Sequence, residues 1–385
     1  MPNFKVIENL KLGELTTFIP NKKIPRYDWF YYKEGFAKDL VFLLLNEFDL
    51  KQGNLFLDPF AGSGTTLLAC KEKGINAFGV DVSPLTVFAS NTKCESYEFD
   101  KLKEAAKKLS AVKFKKPDIG HLKLPLIKKA FSKYALEDIV FFQNEIEKMD
   151  SVDSKIKNFL KLALINTTTK CTYAMKEGGS IRIDKKRHLP PFRIMLKKVL
   201  KNMLKDVGES KLSDAKTEAF VGDARALTKI TTESIDAIIT SPPYLNKIEY
   251  TNIYAIETYL FFDPNMGKPA IRSFIGDKID EEATEENIFG NKKNLPIESL
   301  SYFKDMKKSL EEMFRVLKSK GKAAIVIGNG CFPDGVVESD VLLAELAEQI
   351  GFKVDRIEVV RKIWCMKNRT EKVGLMNESI ILLEK

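Results

Sequence analysis

The strongest constraint on the fold is the stretch NLFLDPFAGSGTTLLACKEKGINAFGVD, residues 54–81. Two short apolar runs, each closed by an acid (Asp58 and Asp81), flank a glycine-rich turn and one helix's length of chain. The middle segment, GTTLLACKEKG, has a helical make-up and a glycine stop at Gly74. A strand, a turn, a helix and a second strand pack well in only one way, as parallel strands joined by a right-handed crossover. The stretch therefore predicts an open α/β sheet.

The neighbouring sequence continues this alternation. AKDLVFLLLNEF, before the first strand, places Leu40, Leu43, Leu44 and Phe48 on one helical face. After Asp81, Ser83 and Pro84 form an N-cap and first turn. From about residue 96 to 215 the pattern changes to lysine-rich helical segments, among them EDIVFFQNEIEKM and FRIMLKKVLKNMLK. Strands then resume with EAFVGDA and SIDAIITSPPY. An amphipathic helix over 302–318, the buried strand KAAIVIGNG, the helix VLLAELAEQIGF and a closing strand pair complete the chain. The expected organisation is an α/β domain from residues 1–95 and 216–385, interrupted by a mainly helical insertion at 96–215.

Composition sets outer limits. The 385 residues are 44% hydrophobic and 30% charged, as in a globular protein. LVFLLL is the greasiest run and is far too short to span a bilayer. The N-terminus has no apolar core followed by a cleavage site, so the expected location is the cytoplasm. Five widely spaced cysteines without a CxxC pair predict reduced thiols and no metal site. The net charge of +9 favours a polyanionic partner only weakly.

Four strand ends carry the chemistry. In DPFAGSGTT, Gly62 and Gly64 allow a tight turn, and the helix beginning at Thr65 and Thr66 offers free N–H groups to an anion. No Gly-Lys-Ser/Thr follows, so the turn is not a P-loop. Asp81 stands 23 positions after Asp58, where an acid can accept from both ribose hydroxyls or simply cap the next helix. Asp223, in GDA, can accept from an adenine amino group or lie in a surface turn. Finally, TSPPY follows the apolar run IDAIIT. Proline cannot donate to a strand ladder, so the strand ends there in a rigid corner flanked by a hydroxyl and an aromatic ring.

Together FAGSG and SPPY make this chain resemble the S-adenosylmethionine-dependent amino-group methyltransferases, which modify exocyclic nitrogens of nucleic-acid bases. The resemblance covers residues of about 25–95 and 216–385. It implies a Rossmann-like class I methyltransferase sheet of seven strands with the last antiparallel. It also implies S-adenosylmethionine as cofactor, held by Asp58, Phe60, Ala61, Gly62, Gly64, Thr65, Thr66, Asp81, Val82, Asp223 and Ala224, with Phe36 as a further contact. Ser241, Pro242, Pro243 and Tyr244 would be catalytic. The Ser241 hydroxyl and the Pro242 carbonyl would accept the two amino hydrogens, and Tyr244 would stack on a flipped base.

In this family a serine before Pro-Pro-Tyr mostly accompanies cytosine-N4 enzymes, which favours a DNA cytosine-N4 methyltransferase acting on a short duplex site. An N6-adenine enzyme, an RNA base methyltransferase and a non-catalytic scaffold are the alternatives. With the chain ending at the last strand, target reading is expected from the insertions, 96–215 or the irregular stretch of about 246–296. Lys185, Lys186, Arg187 and Arg193, in the basic stretch 180–205, and Lys247 beyond the catalytic corner are candidate nucleic-acid contacts. Tyr250, Tyr254, Tyr259 and Arg272 either line the base pocket or pack the sheet, and His188 receives no role. A cognate restriction endonuclease is a possible partner.

Overall fold

The computed structural model describes residues 4–177, 179–245, 253–262, 283–333, 335–367 and 371–385. The first part runs β1 (Val6–Glu8), α1 (Lys38–Glu47), β2 (Leu55–Asp58), α2 (Thr65–Lys73), β3 (Asn76–Asp81) and α3 (Pro84–Cys94). The insertion holds α4 (Phe99–Ala111), α5 (Pro125–Ala130), α6 (Lys133–Glu147) and α7 (Ser154–Lys170), then a hairpin of β4 (Ala174–Glu177) and β5 (Ser180–Ile183), and α8 (Phe192–Glu209). The remainder comprises β6 (Thr217–Val221), β7 (Ile235–Thr240), α9 (Ala255–Phe261), α10 (Glu285–Phe289), α11 (Ile297–Val316), β8 (Leu317–Gly328), β9 (Gly330–Phe332), β10 (Gly335–Val337), α12 (Ser339–Ile350), β11 (Lys353–Lys367) and β12 (Glu371–Glu384).

The main sheet has the order β1-β11-β12-β8-β7-β2-β3-β6. Strands β2 and β3 pair in parallel, with Leu55 opposite Asn76, as the acid-terminated runs predict. β7 joins β2 on the other side, also in parallel, so the strand order reverses between them. A crevice outside the carboxyl ends at such a reversal is where open α/β sheets bind ligands. β12 runs antiparallel to both β8 and β11.

Two expectations are corrected. Among the described residues the sheet has eight strands, not seven, because β1 pairs in parallel with β11, Val6 lying opposite Ile357. An open edge offers a row of unpaired backbone groups, and a three-residue run can take it without leaving a periodic signal. The cysteines are not all reduced: Cys331 on β9 and Cys365 on β11 form a disulfide, whereas Cys70, Cys94 and Cys171 are free and buried. Linear spacing misled here, because β9 folds back across β11 and brings together residues 34 apart in sequence.

The apolar core of α4–α8 is continuous with the strand-bearing part of the chain. Phe159, Leu160 and Leu164 of α7 belong to one apolar cluster with Leu85 and Ala89 of α3 and with Trp29 and Phe30 from the N-terminal aromatic segment. Trp29 is the joint. Its ring meets Phe159 edge-on at 5.3 Å. Its Nε1 donates to Asp206 Oδ2 at 2.8 Å, and its carbonyl accepts from Asn166 Nδ2 at 2.7 Å. Among the described residues, no helix is long and apolar enough to cross a membrane. Because Trp29 ties the insertion to the sheet domain, Trp29→Ala should lower unfolding free energy by about 3–5 kcal/mol. Chemical denaturation followed by circular dichroism checks this, and a loss below about 1 kcal/mol would contradict the role assigned to Trp29.

Candidate active site

The site is built on a buried carboxylate. Asp58, at the end of β2, is only 2% exposed. Its Oδ1 accepts from the backbone N–H of Phe60 at 3.1 Å and from Thr240 Oγ1 at 2.6 Å, while Oδ2 accepts from Thr66 Oγ1 at 2.6 Å. One side chain thus ties together the glycine turn, the first turn of α2 and the tip of β7, one residue before Ser241. Burial pushes its carboxyl up from 3.8 to about 6, against the pull of those three hydrogen bonds.

The turn itself needs its glycines. Gly62 and Gly64 have φ of +48° and +78°. A Cβ on Gly62 would stand 2.9 Å from the Tyr32 ring, and one on Gly64 would stand 2.1 Å from Ser90 Oγ. Asp81, at the end of β3, holds the turn from the other side: Oδ2 accepts from the Gly62 N–H at 2.8 Å, and Oδ1 accepts from the Ser83 N–H at 2.9 Å and from Thr86 Oγ1 at 2.8 Å. Ala61 donates its N–H to the Val80 carbonyl at 2.9 Å, pairing the turn with β3. Lys93, which the sequence analysis missed, lies buried beneath this turn. Its Nζ donates to the Ser63 carbonyl at 3.1 Å and to the Phe30 carbonyl at 3.4 Å, and burial lowers its ammonium to about 7. The available signal was its place three residues after Ser90, on the helix face that packs against the turn.

Thr65 and Thr66 open α2 and are buried, with Phe60 and Val82 partly exposed at the rim. Asp223 lies just beyond β6 and forms a two-pronged ion pair with Arg225, the closest approach being 2.7 Å. Burial disfavours its charge, but the Arg225 hydrogen bonds more than offset this and hold its carboxyl below the ordinary value. Arg225 is shared with Asp305 at 2.9 Å, and Ala224 is buried beside them.

The proline corner leaves β7 directly after the Asp58 contact. Ser241 and Pro243 are partly exposed, and Pro242 is buried. Tyr244 is 9% exposed, and its hydroxyl donates to Glu378 Oε1 on β12 at 2.8 Å. Glu378 Oε2 in turn accepts from Thr16 Oγ1 at 3.1 Å and pairs with Arg361 Nε at 2.7 Å. The Tyr244 ring is therefore anchored by the far strand of the sheet.

Other candidates are distributed differently. Phe36 is buried in the cluster that holds Leu40 and Ala61. Lys185 and Lys186 are exposed on the loop after β5, with Lys185 Nζ 4.3 Å above the Tyr173 ring. Arg187 and Arg193 are engaged within the insertion: Arg187 Nη1 donates to the carbonyls of Thr172 and Ala174 at 2.9 and 3.1 Å, and Arg193 pairs with Asp138 at 2.7 Å. Tyr254 and Tyr259 are buried, the former stacked on Tyr32 at 5.2 Å and the latter accepting from the Lys123 N–H at 2.9 Å. Lys247, Tyr250 and Arg272 lie outside the described residues.

Comparison with known proteins bears on this arrangement. The family described as DNA methylase, covering N6 and N4 enzymes, matches residues 21–90, which include the glycine turn and Asp81. The chain is 26% identical over 450 residues to the Type II methyltransferase M.BsoBI of Geobacillus stearothermophilus, spanning 97% of this chain and 88% of that one. It is 27% identical over 407 residues to M.AvaI of a Nostoc species, covering 90% and 83% of the two chains. A shorter match, 42% over 74 residues, links it to M.MjaII of Methanocaldococcus jannaschii, covering 19% and 14%.

Over most of its length the chain is similar to amino-group DNA methyltransferases. The cofactor such enzymes use is S-adenosylmethionine, and the residues at the carboxyl edge suit such a ligand. The turn approaches without side chains at Gly62 and Gly64, α2 presents its N-terminal N–H groups, and two acids end the adjacent strands.

Two outcomes test the Asp58 tie. Thr240→Val removes one hydrogen bond to a carboxylate, so it should cost about 1.5–3 kcal/mol of stability and lower kcat while leaving cofactor affinity unchanged. Calorimetry and single-turnover kinetics measure both, and an unchanged kcat would show that the contact does not position the corner. The raised carboxyl favours the protonated folded form. It therefore stabilises most fully below the unfolded-chain value of 3.8, and that contribution is lost as pH rises to about 6. The Tm of Asp58→Asn should gain on wild type across that window, and a constant difference would exclude Asp58 as the titrating group.

Proposed function

We propose that this enzyme methylates cytosine N4 at a short site in duplex DNA. The supporting observation is the Asp58–Thr240 hydrogen bond, which puts Ser-Pro-Pro-Tyr beside the glycine turn across the strand-order reversal. The serine before Pro-Pro-Tyr favours cytosine over adenine, following the family resemblance.

The amino nitrogen of cytosine is a poor nucleophile because its lone pair is delocalised into the ring. In this reading Ser241 Oγ and the Pro242 carbonyl accept its two hydrogens, drawing the lone pair back onto nitrogen. Asp58 and the paired prolines hold these acceptors in place before the base arrives, so little reorganisation is needed during the reaction. Tyr244, fixed through Glu378, would form a rigid wall for a base taken out of the helix. Asp81 would hold the ribose of the cofactor, and Asp223 its adenine amino group. Phe60, Ala61 and Val82 would border the cofactor, and Thr65 and Thr66 would lead the helix facing its carboxylate. When bound, S-adenosylmethionine supplies an electrophilic methyl group on a sulfonium. The exposed Lys185 and Lys186 would meet phosphates. The likeness to Type II methyltransferases supports a cytoplasmic role in protecting DNA from a restriction endonuclease of the same specificity.

Labelled S-adenosylmethionine, duplex DNA and total tRNA test this reading, with the product nucleoside identified by mass spectrometry. N4-methylcytosine in DNA is expected. N6-methyladenine would overturn the cytosine assignment, and label in tRNA alone would overturn DNA as the substrate. Ser241→Ala should reduce kcat about a hundredfold without weakening cofactor binding. Equal loss of both would place Ser241 in the cofactor site instead.

A further inference from the structure

The long strands β11 and β12 outrun the rest of the sheet. β8 pairs with β12 only between Glu378 and Glu384, and β1 pairs with β11 only between Val6 and Glu8 on one side and Ile357 and Val359 on the other. Beyond those points, among the described residues, Lys362 to Lys367 pair only with Glu371 to Asn377, with Trp364 opposite Leu375. The result is a two-stranded ribbon extending about 20 Å past its neighbours. β11 runs in the same direction as β7 and β8, since each lies antiparallel to β12 or parallel to a strand that does. The ribbon therefore projects from the carboxyl edge, the edge that carries Ser241 and the glycine turn.

The two faces of the ribbon differ. One is covered: Cys365 is disulfide-bonded to Cys331 on β9, and a Cβ on Gly374 would stand 2.8 Å from Val336 on β10. The other is bare. Trp364 is 50% exposed, Leu375 45% and Met366 37%, and Lys372 Nζ lies 4.4 Å over the Trp364 ring. Lys362 is exposed on the same face and pairs with Glu8 at the edge of the sheet. An apolar, strand-built surface left open invites edge-to-edge association unless it has an occupant. At its root the ribbon touches the catalytic corner, through the Tyr244 hydroxyl on Glu378 and Glu378 on Arg361.

We propose that this bare face is a DNA-contacting element of the enzyme, seated in the groove beside the flipped base, with Trp364 as its anchor and Lys372 on the phosphates. The proposal rests on the DNA-methylation reading above and adds the surface that grips the duplex. A two-stranded ribbon fits the major groove, an exposed indole stacks on or wedges between bases, and lysine neutralises phosphate. The covered face, backed by β9 and β10, lets the ribbon bear load without bending. The Tyr244–Glu378–Arg361 chain couples its root to the corner that receives the base.

The chain has two tryptophans, and Trp29 is buried, so quenching that is lost in Trp364→Phe reports Trp364. Titration with a methylatable duplex should quench the emission of wild type and leave that of Trp364→Phe unquenched. Trp364→Ala should raise the Kd and KM for DNA about tenfold with unchanged S-adenosylmethionine affinity. Lys372→Met should reduce the slope of log K against log salt by about one. Both positions are exposed, and matching melting curves would show that the variants fold. Wild-type methylation of DNA with unaltered DNA affinity in Trp364→Ala would overturn the ribbon's role while leaving the proposed reaction intact. A wild-type dimer that Trp364→Ala dissociates, with DNA binding unchanged, would overturn it in favour of a second copy of this chain. Wild type that binds duplex through Trp364 but transfers methyl only to another substrate would support the ribbon and overturn the reaction instead.

Discussion

The site depends on a single buried carboxylate shared by three segments of chain. Asp58 accepts from Phe60, Thr66 and Thr240, and so joins the cofactor turn, the first turn of a helix and the catalytic strand. Burying an acid is unfavourable unless its oxygens are satisfied. Here they are satisfied by the groups whose relative placement the chemistry requires. Beyond this tie, β2 and β7 are joined by the backbone pairing of Phe56 with Ala237 and Leu57 with Ile238, and by the Leu55 N–H donating to Asp236 Oδ2 at 2.7 Å.

The same device recurs around the crevice. Asp81 holds Gly62 from the β3 side, Lys93 holds the Ser63 and Phe30 carbonyls from below, and Glu378 holds Tyr244 from β12. Each is a charged or ionisable group, largely removed from water and committed to protein partners. A neutral lysine has two N–H donors, and Lys93 has two carbonyl acceptors, in keeping with an ammonium lowered to about 7. The crevice is thus bordered by pre-positioned polar groups, as suits a reaction whose barrier is lowered by orientation and fixed dipoles.

Much of this was legible in the chain. The acid-ended runs before Pro59 and Val82 marked β2 and β3, Gly74 marked the end of α2, and the prolines after Thr240 marked the end of β7. These signals are local: a glycine at positive φ, a missing N–H, a run of apolar residues of strand length. Other features left no such trace. β1 is too short to show periodicity, Arg193 reads as a free cation until Asp138 is seen beside it, and Cys331 and Cys365 are unrelated until β9 crosses β11. The role of Trp29 as the joint between insertion and sheet was equally hidden, because its partners Asn166 and Asp206 are more than a hundred residues away.

By itself the sequence determined the α/β architecture, the two motif-bearing strand ends and the family chemistry they imply, because turns, caps and strand terminations are set by residues a few positions apart. Tertiary structure decided which polar groups are committed and which are free. It turned Asp58 from a candidate ligand into the tie between two motifs, spent the charges of Arg187 and Arg193 inside the insertion, and left Trp364 and Lys372 open on the ribbon. Exposure and partnership depend on segments that meet only after the sheet has closed, and no local pattern encodes them.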